Sequence, residues 1–223
     1  MRVVGVVPAA GRATRLGLAA GSKEALVVDG KPVLEHLLDR LELVRDSDLR
    51  VVTRPEKEDV ARLAQRRGAT VILGTPAHIG ESLHLGLAGL AAGDIALLGF
   101  PDTLWEPLDG FVRLLAALED RFAGVLGLFT TSEPERSDVV EVDASGVVTA
   151  VHVKPARPPS NLIWGCCAVR VGALAGVRHH AQPGTLFKTL APEGKLAGMR
   201  LSDRWLDIGT PEALKLARAG FLT

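Results

Sequence analysis

The residues most able to do chemistry in this chain of 223 residues lie in a loop after its first apolar segment. Val3 to Val7 is predicted as a buried strand, and Pro8 to Gly17 reads Pro-Ala-Ala-Gly-Arg-Ala-Thr-Arg-Leu-Gly. Small residues from Ala10 to Thr14 let backbone N–H groups approach a phosphate closely. Arg12 and Arg15 add positive charge suited to bidentate phosphate binding. The pattern predicts an anion-binding loop; the alternative is a plain strand–helix turn with surface arginines.

Two familiar glycine-rich phosphate motifs do not occur in this loop. A dinucleotide-binding G-x-G-x-x-G motif would need glycine where Ala13 stands, two residues after Gly11. No G-x-x-x-x-G-K-[ST] motif is present either. The loop is therefore expected to bind phosphate in another way.

Two aspartates later in the chain are candidates for metal binding. Asp102 comes after the strand predicted at Ile95 to Gly99, and ligands bind beyond the carboxyl ends of parallel strands. Asp207 lies three residues before Thr210, the residue expected to cap the last helix. Two carboxylates suit Mg²⁺, which takes few protein ligands and keeps waters and substrate phosphates. For Asp102, a turn-forming role after Pro101 is the alternative.

Three segments of the chain resemble the sugar-phosphate nucleotidyltransferases, such as the glucose-1-phosphate thymidylyltransferases. Gly11-Arg-Ala-Thr-Arg-Leu16 is similar to their G-x-G-T-R-L loop. Ser22-Lys23 and Lys31-Pro32 are similar to the next part of their signature. Trp205-Leu-Asp-Ile-Gly-Thr-Pro-Glu-Ala-Leu214 resembles their W-x-D-x-G-T-P-E-x-L segment. The resemblance runs from Val3 to Leu214.

This resemblance implies an enzyme that makes a nucleotide-diphosphate sugar and pyrophosphate from an NTP and a sugar-1-phosphate, with Mg²⁺ as cofactor. It implies catalytic roles for Arg15 and Lys23 and metal binding by Asp102 and Asp207. The implied nucleotide-binding residues are Ala10, Gly11, Arg12, Ala13, Thr14, Thr75 and Gly80. The implied sugar-phosphate-binding residues are Lys154 and Gly165.

The chain departs from the family pattern at three positions. Ala13 replaces a glycine, Thr75 replaces a glutamine that binds the base, and Val153 replaces a glutamate that binds the sugar. The sequence therefore does not identify the base of the NTP or the sugar of the sugar-1-phosphate. Two further functions stay open as well: a cytidylyltransferase for a non-sugar alcohol phosphate, and a catalytically weakened nucleotide-binding protein on the same fold.

The spacing from Arg15 to Lys23 is shorter than the corresponding spacing in the thymidylyltransferases, and it is more similar to that of two related groups. These groups are the isoprenoid cytidylyltransferases and the molybdenum-cofactor guanylyltransferases. Both lack the C-terminal segment that begins at Trp205, so that segment favours the sugar-phosphate branch.

Alternating apolar runs and amphipathic segments are expected to position these residues. Predicted strands lie at Val3–Val7, Leu49–Thr53, Thr70–Leu73, Ile95–Gly99 and Gly124–Thr130, with helices between them. This alternation predicts an α/β, three-layer Rossmann-like fold with a mixed, mostly parallel central sheet and helices on both faces.

Five helices are expected along the chain. They are predicted at Pro32–Val44, Pro55–Arg67, Glu81–Ala92, Pro107–Arg121 and Pro211–Ala219, and the second is expected to be a charged surface helix. A hairpin is predicted around Asp143 to Gly146. The whole chain, 1–223, is expected to be a single nucleotidyltransferase domain with a small sugar-phosphate-binding hairpin region at about 139–165 and no C-terminal β-helix domain.

Composition narrows the function classes. Lys plus Arg and Asp plus Glu both number 26, so the formal net charge is zero and general nucleic-acid binding is not expected. Hydrophobic residues make up 47%, which excludes intrinsic disorder. No apolar stretch is long enough to predict a membrane span. Cys166 and Cys167 are adjacent and are expected to be thiols, which favours a cytoplasmic protein; a homo-oligomer is compatible with the sequence.

Overall fold

The computed structural model describes residues 1–12 and 21–221. Ala13, Thr14 and Arg15, to which the sequence assigns nucleotide-binding or catalytic roles, lie outside the described residues. The strands are β1 Val3–Pro8, β2 Val27–Val28, β3 Lys31–Pro32, β4 Asp48–Thr53, β5 Thr70–Leu73, β6 Ile95–Gly99, β7 Thr103–Trp105, β8 Gly124–Thr130, β9 Val139–Val142, β10 Val148–His152, β11 Leu162–Arg170, β12 Leu196–Ser202 and β13 Trp205–Asp207. The α-helices are α1 Val33–Glu42, α2 Glu58–Arg66, α3 Ile79–Gly86, α4 Gly110–Ala116, α5 Gly184–Leu190 and α6 Pro211–Arg218.

The main sheet is mixed, as predicted. Its parallel part has the order β6-β1-β4-β5. β11 runs antiparallel to β6 on one side and to β8 on the other, and β12 lies parallel to β8. The hairpin of β9 and β10 joins the sheet beside β11, and Asp143 to Gly146 form its turn. The α/β fold class and the hairpin are therefore confirmed.

Both faces of the sheet are covered by helices because the central strands are apolar on both sides. Val7 of β1 packs in one buried cluster with Leu38 of α1. Val4 and Val6 of the same strand pack in a second cluster with Leu83 of α3. β1 is thus held rigidly in the middle of the molecule, and its carboxyl end leads directly into the predicted phosphate loop.

The ribbon of β7 and β13, which lies outside the main sheet, was not predicted. Asp207 pairs with Thr103 in this antiparallel ribbon, and the Ile208 N–H donates to the Asp102 carbonyl at 3.0 Å. Leu104 and Ile208 are fully buried in a small cluster that holds the ribbon in place. The ribbon therefore brings the two aspartates together from distant parts of the sequence.

The five predicted helices form, and each is shorter than expected, most clearly α3 and α4. α3 ends at Gly86 instead of Ala92, and the chain turns at Gly89 with a φ of +73°. α4 covers only Gly110–Ala116 of the predicted Pro107–Arg121. Apolar periodicity continues through turns that pack on the core, so it overestimates helix length. Among the described residues, no helix combines the length and the apolar character that crossing a membrane requires.

Candidate active site

An ion pair lies beyond the carboxyl ends of the central parallel strands. The Lys23 ammonium donates to the Asp102 carboxylate, and both side chains are mostly buried. Burial lowers the pKa of Lys23, but the charges of Asp102, Glu24 and Asp207 raise it more, so the pKa lies above its ordinary value. Lys23 is therefore a fixed positive charge at neutral pH, placed between the two predicted metal ligands.

A cavity of about 640 Å³ opens on the β1 side of this ion pair. It has the size expected for a nucleotide-like ligand. Predicted nucleotide-binding residues that line it are Ala10, Gly11, Arg12 and Thr75. Lys23 and Asp102 form the far wall of the same cavity. The structure thus brings the described part of the loop together with Lys23, the lysine predicted to be catalytic.

Gly80, a predicted nucleotide-binding residue, lies elsewhere in the fold. It is buried in the first turn of α3, and a Cβ there would lie 2.1 Å from the His180 carbonyl oxygen and 2.2 Å from that of Val177. Glycine is therefore needed for the close packing of α3 on the 177–180 segment. Ile79 and Ser82 of α3 line the cavity and Gly80 does not, so its nucleotide contact stays a prediction.

A second cavity, of about 230 Å³, opens on the other side of Lys23 and Asp102. Lys154, Gly165 and Asp207 line it. The backbone φ of Lys154 is +42°, a conformation that is costly for a residue other than glycine and that is often found at functional sites. The residues predicted to bind the sugar phosphate and the metal therefore share one cavity.

Gly165 makes room for a tryptophan in this second cavity. A Cβ at position 165 would lie 2.6 Å from the Trp205 indole nitrogen and 3.0 Å from the Phe129 ring. The Trp205 indole nitrogen is buried and has no hydrogen-bond partner within residues 1–12 and 21–221. The wall of the cavity is therefore aromatic here, and the rings can pack this closely only because residue 165 has no side chain.

The donor set fits a divalent metal bound together with substrate phosphates. Asp102 and Asp207 lie at adjacent ends of β7 and β13, and Asp207 Oδ1 accepts a hydrogen bond from the Gly209 N–H at 2.7 Å. No group of three or more His, Cys, Asp or Glu side chains in the described part of the chain could hold a metal alone. Mg²⁺ is typically bound by one or two carboxylates, waters and phosphate oxygens, and two aspartates match that mode.

Comparison with known proteins agrees with this geometry. Residues 5–161 match the model of the MobA-like NTP transferase domain. The chain belongs to the MobA-like NTP transferase family. The matched segment contains β1, the phosphate loop, Lys23, Asp102 and Lys154, and it ends before β11 begins.

Relatives of this NTP transferase match most of its length. It is 31% identical to the UTP–glucose-1-phosphate uridylyltransferase AglF of Haloferax volcanii, over 93% of this chain and 91% of the relative. It is 27% identical to a glucose-1-phosphate thymidylyltransferase of Neisseria gonorrhoeae, over 94% and 79% of the two chains. The fold is similar to the crystal structure of a protein of Bacillus anthracis named as a candidate glucose-1-phosphate thymidylyltransferase, with a TM-score of 0.84, 19% identity, and coverage of 97% and 94%.

One part of the site in this NTP transferase was missed because charged residues at 55–67 were interpreted as a surface helix. Lys57, directly before α2, is only 8% exposed. Its ammonium donates to the Ala9 carbonyl at 2.8 Å, the Gly11 carbonyl at 2.9 Å and the Glu24 carboxylate at 2.7 Å. The start of this segment is therefore a buried support for the phosphate loop, and the surface assignment is wrong there.

Arg54 supports the same loop from the end of β4. Its guanidinium donates to the Ala10 carbonyl at 2.8 Å and to the Pro76 carbonyl at 2.7 Å. It therefore joins the phosphate loop to the segment that contains Thr75. A signal was present in the sequence, since Arg54 and Lys57 directly follow a predicted parallel strand, at the edge where α/β sheets bind ligands.

Asp59 in the first turn of α2 holds Ser22, the residue before Lys23. Its carboxylate accepts hydrogen bonds from the Ser22 N–H and the Ser22 hydroxyl, both at 2.8 Å. Burial raises the pKa of Asp59, but the Ser22 and Val60 hydrogen bonds lower it more, so the pKa lies below its ordinary value. A permanently ionised Asp59 therefore fixes the backbone from which Lys23 extends.

Proposed function

We propose that this NTP transferase joins an NTP to a sugar-1-phosphate and releases pyrophosphate. The observation that carries the proposal is that two cavities, of about 640 and 230 Å³, meet at Lys23 and Asp102. One cavity is lined by the phosphate loop and the other by Lys154. The relatives from Haloferax volcanii and Neisseria gonorrhoeae, named as glucose-1-phosphate nucleotidyltransferases, support the same donor and acceptor classes.

The proposed reaction is an in-line attack at the α-phosphorus of the NTP. An oxygen of the sugar-1-phosphate forms the new phosphorus–oxygen bond, and the bond to the pyrophosphate group breaks. The attacking oxygen is already anionic, so no general base is required. Positioning and charge stabilisation supply the catalysis.

Each cationic side chain has a separate role in this proposal. Lys23 lies at the junction of the cavities, where it binds the α-phosphoryl group and stabilises charge on it. Lys154 orients the acceptor phosphate. Arg15, outside the described residues, stabilises the leaving pyrophosphate.

Asp102 and Asp207 are proposed to hold Mg²⁺. When bound, the ion neutralises phosphate charge and fixes the orientation of the triphosphate. Lys23 donates to Asp102 in the structure, which fixes the orientation of that carboxylate.

The phosphate loop is proposed to bind the nucleotide through Ala10, Gly11, Arg12, Ala13 and Thr14. Lys57 and Arg54 bind three successive carbonyls, of Ala9, Ala10 and Gly11. These contacts hold the described start of the loop in place at the edge of the first cavity. Thr75 and Gly80 are proposed to lie on the base side.

We also propose that residues 1–223 form a single domain and that the protein is cytoplasmic. Cys166 and Cys167 are buried free thiols, which are stable in a reducing compartment. Burial raises the pKa of Cys167 above its ordinary value, so neither a reactive thiolate nor thiol chemistry is part of the proposed reaction.

A pyrophosphate-release screen tests this function. It crosses the common NTPs with sugar-1-phosphates and small alcohol phosphates, with and without Mg²⁺. We expect one strong, Mg²⁺-dependent pair that contains a sugar-1-phosphate, and we expect Lys195→Ala, at an exposed lysine, to keep that activity. Turnover with alcohol phosphates alone would instead identify a cytidylyltransferase-like enzyme. NTP binding without any turnover would indicate a nucleotide-binding protein.

A further inference from the structure

A buried carboxylate that the proposed reaction does not use lines the second cavity. Asp138, directly before β9, is only 8% exposed and forms part of the wall of this 230 Å³ space. Its Oδ1 atom is fully buried and accepts no hydrogen bond from residues 1–12 or 21–221. A buried acceptor without a donor is costly to the free protein, so a ligand that supplies a donor would be bound favourably.

The charged and polar groups around Asp138 leave its carboxylate able to bind a ligand. Burial raises its pKa, while the Lys154 ammonium, the Trp164 indole N–H and the Lys154 backbone N–H lower it by less. The Trp164 indole nitrogen is itself buried without a hydrogen-bond partner of good geometry in the described chain. The indole N–H thus faces the Asp138 carboxylate without completing a well-formed hydrogen bond, so the wall beside Lys154 offers a carboxylate acceptor that is incompletely paired.

Packing holds the carboxylate in this position. A Cβ at Gly184, at the start of α5, would lie 2.0 Å from Asp138 Oδ2. Only glycine leaves space for the carboxylate there. The packing of α5 against the residue before β9 thus fixes the position of the Asp138 carboxylate. The carboxylate is not an exposed group that could change its rotamer freely.

The charged side chains around Asp138 determine which kind of hydrogen-bond donor on a ligand can bind to it. Lys23, Arg136 and Lys154 line the same cavity together with Asp102, Asp138 and Asp207, so the basic and acidic side chains are equal in number and the wall has no excess charge that would favour a cationic group on a ligand. A neutral hydroxyl group, in a molecule whose phosphate binds Lys154, satisfies both the acceptor and the charges.

We propose that Asp138 determines acceptor specificity by accepting a hydrogen bond from a hydroxyl group of the sugar phosphate. This inference rests on the proposed function, since it assumes that the acceptor occupies the second cavity. It assigns a role to the cavity wall opposite the metal-binding aspartates. Asp138 touches the sugar and not the reacting phosphorus, so its effect is on recognition.

Calorimetric binding of sugar-1-phosphates tests the role of Asp138 independently of turnover. Wild type, Asp138→Ala and Asp138→Asn are titrated with the best-bound sugar-1-phosphate and with its series of monodeoxy analogues. We expect Asp138→Ala to weaken binding of the parent sugar by about 10- to 100-fold. We expect it to leave unchanged the affinity for the one analogue that lacks the bound hydroxyl. Asp138→Asn keeps an acceptor oxygen and should lose less.

A control and a stability measurement separate recognition from structure. Asp120→Ala, at an exposed aspartate, should keep the wild-type pattern. Thermal unfolding of Asp138→Ala should occur at the wild-type midpoint or above it, because a buried and incompletely paired charge is removed. A structural residue would instead lower the midpoint and weaken all analogues equally, and that result would overturn the inference.

The outcomes also distinguish this inference from the proposed function. If Asp138→Ala weakens binding of every sugar phosphate except the one analogue that lacks the bound hydroxyl, and the wild type releases pyrophosphate, both the role of Asp138 and the proposed reaction are supported. The same pattern in a protein that never releases pyrophosphate supports the role of Asp138 and refutes the proposed reaction. Turnover with equal effects on every analogue refutes the role of Asp138 alone. No binding of any sugar phosphate refutes both.

Discussion

Lys57→Met tests whether the buried support beneath the phosphate loop is as important as the contacts indicate. The substitution keeps the apolar stem and removes the ammonium. Three hydrogen bonds are lost, to the Ala9 and Gly11 carbonyls and to the Glu24 carboxylate. Glu24 is fully buried, so its charge is left without its main partner.

The expected loss of stability follows from these contacts. Removing one partner of a buried ion pair typically costs about 3–5 kcal/mol, because the other charge remains buried. The two carbonyl hydrogen bonds account for about 1 kcal/mol each. We therefore expect the free energy of unfolding of Lys57→Met to fall by about 5–7 kcal/mol at neutral pH.

The loss should depend on pH in a defined direction. Burial raises the pKa of Glu24 above its ordinary value, although Lys57 lowers it, so removing Lys57 raises it further. A carboxyl with a raised pKa in the folded state stabilises the protein below its unfolded pKa, and this stability is lost as the pH rises through the folded pKa. The difference between variant and wild type should therefore fall to about 2 kcal/mol near about pH 4, where only the loss of the two carbonyl hydrogen bonds remains, and be full at neutral pH.

Urea unfolding of wild type, Lys57→Met, Glu24→Gln and the double variant measures these quantities. The double variant should be more stable than Lys57→Met at neutral pH, since it has no buried charge without a partner. Nucleotide binding should weaken in both variants that lack Lys57. A loss below about 1 kcal/mol, or additive effects of the two substitutions, would refute the buried-pair reasoning.

Three further predictions concern the catalytic residues and the packing of α3. Lys23→Ala should lower turnover by orders of magnitude in a steady-state assay while urea unfolding shows that the variant is still folded. Near wild-type turnover would remove Lys23 from the reaction. Asp207→Asn should raise the Mg²⁺ concentration for half-maximal activity by at least about tenfold, and an unchanged titration would remove Asp207 from the site. Gly80→Ala should lower the free energy of unfolding by about 1–3 kcal/mol, because its Cβ would lie 2.1 Å from a backbone carbonyl. Gly93→Ala, where a Cβ meets nothing within 4 Å, is the matched control; equal loss in both would contradict the packing argument.

Much of the fold could be predicted because the central strands are continuous apolar runs. Val3–Val7 and Ile95–Gly99 are buried on both faces, and such strands are recognisable without any partner. The β7 and β13 ribbon could not be found in this way. Its strands are three residues long and pair across a large sequence separation, so neither shows a local period.

The candidate site was predictable where a motif marks it. Lys23, Asp102, Lys154 and Asp207 lie in recognisable segments, and the structure brings all four around two adjoining cavities. The functions assigned to them stay predictions until they are measured. Arg15 lies outside the described residues.

The supporting residues were missed because their burial depends on distant contacts. Lys57 and Arg54 are charged residues beside a surface helix, and sequence pattern alone favours solvent exposure for them. Asp138 similarly looks like a turn residue before a strand. In each case the polar partner or the covering helix comes from another part of the chain, which no local pattern reveals.

The central claim is that an acceptor phosphate attacks the α-phosphorus of the NTP. Sugar-1-phosphate labelled with ¹⁸O on its non-bridging phosphate oxygens, incubated with an unlabelled NTP and analysed by mass spectrometry, tests it directly. The account predicts that the full label is retained in a nucleotide-diphosphate sugar and that the pyrophosphate is unlabelled. Labelled pyrophosphate, or pyrophosphate release that does not depend on the acceptor, would contradict it.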